Sequence, residues 1–431
     1  MSTRGPGLAS PGSTVGGETG WTSPPGEGLR VLCLGFWAPP TERPQAILLG
    51  KILPEWLRQG LRPMLLTYAG QGEWSPGAPV RTLPRRRRSR WAKILPPLAH
   101  WEERRYRRSL FDLAREAVET HRPEVVFAFA NPQESNLLGA ELKERLGIPF
   151  VSHFSDPFVD CPLKNLQGRR RRLAMAEEAF IVERSDRIVF VNDALKRLVM
   201  AKYPASLAHR AVVVPHCFDP ALYLPEATNP AAGRTGTPFV LSHIGAFYRQ
   251  RHPGAVFAAL ATLKSRIPDL GERLRLTLIG GTNPYAGFAE ADLAALIDRH
   301  GLGDCVRCLP SMPYRESLWA MGEADALLLL DAEVPDSPFL PSKLIDYLGS
   351  GRPLLALADP DSPSGRLVRE VGGVVVAHGD TTTLTAVIAG MVAGHSLAAP
   401  APSVAAAYAV ASTTRRLCEI FAHARMGGAG R

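Results

Sequence analysis

The chain of 431 residues lacks the long apolar runs of membrane-spanning proteins. An α-helix needs about 20 consecutive apolar residues to cross a bilayer, and the nearest approach, residues 397–411, is alanine-rich and interrupted by prolines. We therefore expect no spanning helix. Residues 1–28 also lack the apolar core of a secretory signal, and their Gly, Ser, Thr and Pro content predicts a disordered leader.

Patterns of metal ligands are equally scarce. The six cysteines are scattered through apolar segments, and the pair Cys305 and Cys308 has no second pair or histidine cluster nearby. Because structural zinc needs four ligands, we predict no metal site. The thiols are typical of a reduced, cytoplasmic protein. Asp359 and Asp361 form an Asp-x-Asp string in a Pro-rich stretch, which we interpret as a turn.

The net charge of +9 is concentrated in one segment, because residues 81–110 contain eleven basic and two acidic residues. No base-reading or stacking groups are interleaved on a known module, which argues against nucleic acid as a partner. Two interpretations of the basic segment remain. It forms an ordinary solvated surface of the protein, or residues 85–108 bind an anionic membrane surface. An apolar stripe at helical spacing accompanies these charges, and core packing is its simpler interpretation: Trp101, Tyr106, Leu110, Leu113 and Ala117.

Apolar runs alternate with helical patterns along the rest of the chain. A first series of predicted strands comprises residues 30–36, 63–68, 124–130, 149–154, 187–191 and 211–214. A second series comprises residues 239–244, 274–279, 305–309, 326–330, 354–357 and 373–376. Continuously apolar strands are typical of parallel sheets with helices on both faces. The pattern predicts an α/β protein with two doubly wound, Rossmann-like domains.

The predicted domain boundaries follow from where these patterns begin and end. We expect an N-terminal domain over 29–220, a linker over 221–237 and a C-terminal domain over 238–395. Residues 396–431 are expected to form a helix and tail that cross back to the first domain. Doubly wound sheets bind ligands beyond the carboxyl ends of their strands, so two such sheets would face one another across a cleft.

A candidate anion site follows the predicted strand 326–330. A short helix is expected to begin near Ser342 and to end at Gly349 and Gly351. Its amino end would direct free N–H groups and a partial positive charge into the cleft, with Lys343 adding a full charge. Asp346, one turn along, would accept hydrogen bonds from ribose hydroxyls, although Lys343 and Asp346 could also be partners on a solvated helix face.

Two further loops of the second domain favour phosphate binding. The predicted strand 239–244 ends at Gly245, and the following loop contains Arg251 just before a helix. Gly281 follows the next strand, where glycine permits close backbone approach. In the first domain, His153 and Asp156 lie at a strand's carboxyl end, where catalytic residues are expected. Alternatively, His153 packs in the core, and Asp156 forms a turn or caps a helix.

These residues resemble the motifs of GT-B glycosyltransferases of the large retaining group that includes sucrose-phosphate synthases. In that family two glutamates stand eight positions apart, followed by a small-residue helix end and Gly-x-Pro. Asp346 stands at the second position, Pro338 at the first, and Gly351 begins the Gly-x-Pro. Arg251 matches the family's diphosphate-binding basic residue, whereas Ala246 replaces an arginine common in that loop. His153 and His216 resemble conserved motif positions of the first domain.

The resemblance implies transfer of a sugar from a UDP- or GDP-linked donor to an acceptor hydroxyl, with retention and without a cofactor or metal. The donor site would comprise Gly245, Arg251, Gly281, Lys343 and Asp346. Asp156 or His153 would orient the reacting groups. The acceptor would be a glycan, a lipid or a small molecule, and the protein would be cytoplasmic or peripheral on the inner face of the membrane. A sugar-nucleotide epimerase and a catalytically degenerate binding protein are alternatives.

Overall fold

The computed structural model describes residues 28–68, 76–86, 89–164, 166–223 and 238–428. The predicted leader 1–28 and linker 221–237 lie almost entirely outside these ranges. Within them the chain forms two parallel sheets with helices on both faces, so the predicted α/β architecture of two Rossmann-like domains is confirmed.

The N-terminal sheet has seven parallel strands in the order β3-β2-β1-β4-β5-β6-β7. Its strands are β1 (Arg30–Leu34), β2 (Arg62–Thr67), β3 (Val80–Thr82), β4 (Val125–Ala128), β5 (Phe150–Phe154), β6 (Arg187–Phe190) and β7 (Ala211–Val213). Its helices are α1 (Pro44–Arg58), α2 (Pro96–His121), α3 (Glu134–Leu146), α4 (Gly168–Arg184) and α5 (Asp193–Met200). The sequence pattern did not predict β3, because its three residues are exposed at the sheet edge and form no apolar run.

The C-terminal sheet has six parallel strands in the order β10-β9-β8-β11-β12-β13. Its strands are β8 (Phe239–Ile244), β9 (Leu274–Ile279), β10 (Val306–Leu309), β11 (Ala326–Leu330), β12 (Leu354–Leu357) and β13 (Val374–Val376). Its helices are α6 (Gly254–Lys264), α7 (Leu270–Arg273), α8 (Glu290–Arg299), α9 (Tyr314–Gly322), α10 (Ser342–Ser350), α11 (Pro363–Glu370) and α12 (Thr381–Val392).

Each sheet separates two apolar clusters because successive side chains of a strand point to opposite faces. In β1, Leu32 and Leu34 belong to one cluster, whereas Val31 and Cys33 belong to the other. Both faces of the strand are therefore buried, which explains why its sequence is apolar throughout.

The end of the chain packs against the N-terminal sheet. After the short helix α13 (Pro402–Ala405), helix α14 (Val410–Gly428) lies along α1. The buried ring of Phe421 meets the rings of Trp56 and Phe127 edge-on, with centroids 5.5 Å and 5.2 Å apart. The Gln59 side-chain amide donates to the Ala411 carbonyl at 3.0 Å. This helix connects the second domain back to the core of the first.

The apolar stripe of the basic segment lies on α2. Tyr106, Leu110 and Ala117 are buried in the core, which confirms the packing interpretation for them, whereas Trp101 is 56% exposed. No helix in the described part of the chain is long and apolar enough to cross a membrane.

Candidate functional site

The loops that follow β8 and β9 approach one another closely at the cleft. Gly245 and Gly280 have φ angles of 141° and 132°, which side-chain-bearing residues rarely adopt. A Cβ atom on Gly280 would lie 2.6 Å from the Gly245 carbonyl oxygen. In the loop after β9, the position that sterically requires glycine is therefore Gly280. Gly281, the predicted donor residue, accepts a backbone hydrogen bond from Phe247 at 3.0 Å.

Helix α10 directs its amino end and Lys343 toward this loop pair. The residue before the helix is Pro341, and no side chain caps the first turn. The first N–H groups of a helix lack intrahelical partners and carry partial positive charge. The Lys343 side chain fills the space beside Gly245, because a Cβ atom on that glycine would collide with the Lys343 amine. The structure thus brings together two residues that lie about 100 positions apart.

His243 supports the Lys343 amine. Its Nδ1 lies 2.9 Å from the Leu328 carbonyl oxygen, which can only accept, so Nδ1 carries the proton and Nε2 has a free lone pair. The Lys343 amine donates to that nitrogen at 3.4 Å. Burial, and then the charge of Lys343, hold the pKa of His243 well below its usual range, so the ring is neutral.

Arg251 completes the basic side of the site. Its guanidinium lies 4.9 Å from the Tyr248 ring centroid and 3.5 Å from the Asp331 carboxylate. The buried Arg251 Nε and Asp331 Oδ2 atoms have no hydrogen-bond partner among the described residues. Asp331 lies directly after β11 and is 3% exposed.

The donor-side cluster has more positive than negative charge in a buried place. Burial, followed by the charge of Arg251, lowers the pKa of Lys343 well below its usual range, and Asp331 offsets part of this effect. Buried charges are costly unless they are paired. An anion bound beside Lys343 and Arg251 would therefore stabilise the protonated amine, which burial and the neighbouring guanidinium disfavour.

Asp346 has partners in both domains. Its Oδ1 accepts from the Lys51 amine at 3.0 Å and from the Tyr314 hydroxyl at 2.9 Å. The side chains of Lys51 and Asp346 are 3% and 8% exposed. Asp346 Oδ2 accepts no hydrogen bond from the described residues. The alternative in which Lys343 and Asp346 pair with each other is wrong, because each has a different partner.

Further contacts join the two domains around this pair. The Glu42 carboxylate accepts from the Tyr314 backbone N–H, and the Asn192 amide donates to the Pro338 carbonyl, at 3.0 Å and 2.9 Å. Pro338 occupies the first carboxylate position of the family motif. Its backbone oxygen is thus held by a residue of the opposite domain.

His153 and His216 lie on the N-terminal side of the cleft, with ring centroids 6.3 Å apart. Burial lowers the pKa of His153 to about 3 and that of His216 to about 4, and Lys51 adds to the effect on His216. Each ring has a buried Nδ1 atom without a hydrogen-bond partner in the described chain. Both rings are therefore neutral and incompletely bonded, unlike histidines satisfied within a core.

Asp156 lies after β5 and reaches toward the second domain. Its Oδ2 accepts from the Asn131 amide at 2.6 Å. Burial raises its pKa, although Asn131 and the charge of Lys164 oppose this effect. Asp156 in turn contributes to the raised pKa of Tyr248, which belongs to the opposite domain. The Asp156 carboxylate is therefore within electrostatic range of the loop that contains Tyr248 and Arg251.

Within the ranges that the structure describes, no three or more histidine, cysteine or carboxylate side chains form a group that could hold a metal ion. Asp359 accepts from the Asp361 backbone N–H at 2.9 Å, as the predicted turn requires. All six cysteines are free thiols, and Cys308 is exposed.

Four residues that contact the candidate site were not predicted from the sequence: Lys51, His243, Tyr314 and Asp331. Asp331 directly follows a predicted strand, so its position at a carboxyl end was a usable signal. His243 lies inside a strand, and Lys51 and Tyr314 lie on helices that have no local sign of a site.

The arrangement defines a GT-B glycosyltransferase fold, in which two parallel-sheet domains face a cleft. HepE from Anabaena, solved with UDP and glucose, superposes with a TM-score of 0.61 at 16% identity over 91% of this chain and 98% of its own. Sucrose-phosphate synthase from Thermosynechococcus elongatus superposes with a TM-score of 0.62 at 16% identity over 93% and 98%. At this identity the similarity establishes the fold.

Sequence comparison adds a family match in the first domain. Residues 49–217 match the model described as a glycosyl transferase 4-like domain. D-inositol 3-phosphate glycosyltransferase of Actinosynnema mirum is 26% identical over 181 residues, which are 41% of this chain and 43% of that protein. The corresponding protein of Kineococcus radiotolerans is 33% identical over 144 residues, 32% of this chain and 33% of that protein. The matched stretches span less than half of these relatives.

The neutral histidines predict a pH dependence of stability. The unfolded chain takes up protons on both rings below pH 6.5, whereas the folded chain does not, so the free energy of unfolding should fall as the pH drops from 7 to 5. The loss should be on the order of 1–2 kcal/mol for each ring. His216→Gln should reduce this loss of unfolding free energy by the contribution of one ring, as measured by urea unfolding at several pH values. The exposed His209→Gln is the control, and equal pH slopes for all three proteins would contradict the assignment.

Proposed function

We propose that this protein transfers a glycosyl group from a nucleotide-diphosphate sugar to an acceptor hydroxyl. The observation that carries the proposal is the grouping of the Lys343 amine, the Arg251 guanidinium and the uncapped amino end of α10. The family match over residues 49–217 and the UDP and UDP-glucose complexes of HepE support it.

The leaving group of such a reaction is a nucleoside diphosphate, whose developing charge must be stabilised. Lys343, Arg251 and the first N–H groups of α10 would bind the diphosphate, and the loops at Gly245 and Gly281 would admit it close to the backbone. Asp346 would accept ribose hydroxyls through Oδ2, since Oδ1 is occupied by Lys51. The base would be uracil or guanine, and no metal is needed for this electrostatic task.

Asp156 and His153 would act on the other side of the cleft. The half-buried Asp156 carboxylate would orient the acceptor hydroxyl, and the neutral His153 imidazole would accept or donate one hydrogen bond to the transferred sugar. We propose retention of configuration on the basis of the family resemblance, and we assign no covalent nucleophile.

Two other functions use the same fold. A sugar-nucleotide epimerase would convert the donor without an acceptor. A degenerate binding protein is favoured by Pro338 in place of a glutamate and by Ala246 in place of an arginine. Release of nucleoside diphosphate, measured with and without candidate acceptors, distinguishes the three, because only a transferase requires the acceptor for rapid release.

The donor assignment predicts the effect of removing either cation. Lys343→Ala and Arg251→Ala should each weaken UDP or GDP binding by roughly 1.5–3 kcal/mol, the usual value of a hydrogen bond to a charged group. Titration calorimetry would measure a rise in Kd of about tenfold to hundredfold. Arg273→Ala, which removes an exposed arginine paired with Asp269 in the same domain, is the control. Affinities like those of the unmodified protein in both cation variants would remove the assignment.

The assignment of Asp156 predicts a loss of turnover without a loss of stability. Asp156→Asn keeps the shape of the side chain and its neighbour Asn131 but removes the charge. The turnover number should fall by at least about a hundredfold, as for other groups that assist proton transfer, while the melting temperature stays within a few degrees. A destabilised but fully active variant would show that Asp156 is structural.

We also propose that the basic segment binds the anionic cytoplasmic face of a membrane. Large apolar side chains in and beside this segment are exposed: Trp91, Ile94, Leu95 and Trp101 are 57%, 70%, 50% and 56% exposed. Apolar and aromatic side chains combined with basic ones are typical of surfaces that lie in the membrane interface.

The membrane proposal predicts selective release by charge removal. Each basic side chain near an anionic bilayer contributes up to about 1 kcal/mol, and salt screens the attraction. Replacing Arg85, Arg86, Arg87 and Arg88 with serine should release the protein from anionic vesicles in co-sedimentation and leave nucleotide affinity unchanged. A matched control replaces four exposed arginines of the second domain: Arg273, Arg275, Arg299 and Arg307. Equal pelleting of both variants, or no pelleting of the unmodified protein, would contradict the proposal.

A further inference from the structure

A groove begins at Asn131, the hydrogen-bond partner of Asp156, and runs along the outer face of the N-terminal domain. It consists of two neighbouring cavities between α2, α3 and α4, which we call the inner and outer cavities. The inner cavity has a volume of about 610 Å³ and the outer one of about 710 Å³. Both lie on the side of the sheet that α2, α3 and α4 cover.

The inner cavity is connected to Asp156 through its own wall. Asn131, Pro132 and Lys164 line it, and the Asn131 amide is the group that donates to the Asp156 carboxylate at 2.6 Å. An occupant of this cavity would therefore place its polar end beside the residue proposed to orient the acceptor hydroxyl.

The two cavities are continuous because they share wall residues. Arg107, Glu134, Leu137 and Glu177 line both. Arg107 of α2 donates to Glu177 of α4 at 2.8 Å, and this ion pair marks the boundary between the cavities. The side chains concerned are 47% and 34% exposed, so water can replace the ion pair when an occupant passes.

The outer cavity is lined by both apolar and charged side chains. Its apolar lining is contributed by all three helices: Leu110, Phe111, Leu137, Leu138, Leu173 and Phe180. Leu173 is 55% exposed although it lies on this wall. The Arg145 guanidinium lies 3.7 Å from the Phe111 ring centroid.

The charges around the outer cavity do not favour a charged occupant. Four arginines are nearly balanced by five carboxylates: Arg104, Arg107, Arg108 and Arg145 against Asp112, Glu134, Glu141, Glu144 and Glu177. An apolar floor beneath balanced charges fits an uncharged hydrocarbon chain, whose burial removes apolar surface from water. The walls are helices, so they offer no free strand edge to which a peptide could add.

We propose that this groove holds the acceptor and that the acceptor is an amphiphile. Its hydroxyl-bearing head would occupy the inner cavity beside Asp156, and an alkyl or isoprenoid chain would lie in the outer cavity. On α2 the groove begins beside the exposed Trp101, because Ala99, His100 and Glu103 line the inner cavity. The inference rests on the proposed glycosyl transfer and names the substrate class of its second site.

The test compares ligands that differ only in chain length. Octyl and methyl glucoside, used below the concentration at which micelles form, are titrated into the full-length protein by calorimetry. The unmodified protein should bind the octyl compound at least about tenfold more tightly, because each buried methylene adds to the affinity. No preference for the longer chain would overturn the proposal.

Two substitutions on α4 provide the matched comparison. Leu173→Asp places a charge on the groove wall and should abolish the preference for the octyl chain. Met175→Asp introduces the same charge on the same helix, at a residue that is 43% exposed and lies outside both cavities, and should preserve it. Equal loss of the octyl preference in both variants would show non-specific adsorption of the ligand. Retention of that preference in both variants would show that the alkyl chain binds elsewhere. Either result overturns the proposal.

Parallel titrations with UDP and GDP separate this inference from the function on which it rests. All three proteins should bind the preferred nucleotide with the same affinity, because the donor site lies in the other domain. Failure of the unmodified protein to bind either nucleotide would count against glycosyl transfer, whereas normal nucleotide binding without a chain-length preference would contradict the amphiphile proposal alone. Urea unfolding of both variants shows that they remain folded.

Discussion

The buried ion pair between Lys51 and Asp346 holds the two domains in one arrangement. Both side chains are almost completely excluded from water, and the pair is 3.0 Å long. Removing one partner of such a pair costs about 3–5 kcal/mol, because the other charge stays buried and unpaired. The pair also ties α10 to α1. The amino end of α10, with Lys343 one turn before Asp346, is thereby held at the cleft.

The two sides of the cleft differ in their electrostatics. The second domain presents buried cations that lack enough anions, and this suits a diphosphate. The first domain presents neutral histidines and the carboxylate of Asp156, and this suits a hydroxyl and an uncharged sugar. The groove beyond Asn131 adds apolar side chains of three helices at its far end, beneath arginines and carboxylates that nearly balance one another.

Much of the fold could be predicted because its strands are buried on both faces. The predicted strands 239–244, 274–279, 326–330 and 354–357 coincide with β8, β9, β11 and β12. Exposed strands have no continuous apolar run in their sequence, and for this reason β3 was not predicted. Gly245, Arg251 and Lys343 could be selected because each follows the end of a strand, where doubly wound sheets bind ligands. Asp331 satisfies the same criterion and was nevertheless missed.

Local sequence determined the alternation of strands and helices, the parallel sheets and the loops that meet at their carboxyl ends. Tertiary structure alone decided which charged groups became partners. Asp346 pairs with Lys51, which is 295 positions away, and Lys343 rests on His243, which lies within a strand. A buried charged group must pair with a group of opposite charge or a hydrogen-bond partner that lies nearby after water is excluded. Which groups lie nearby depends on how the separate domains pack. No periodicity or spacing within a segment carries this information.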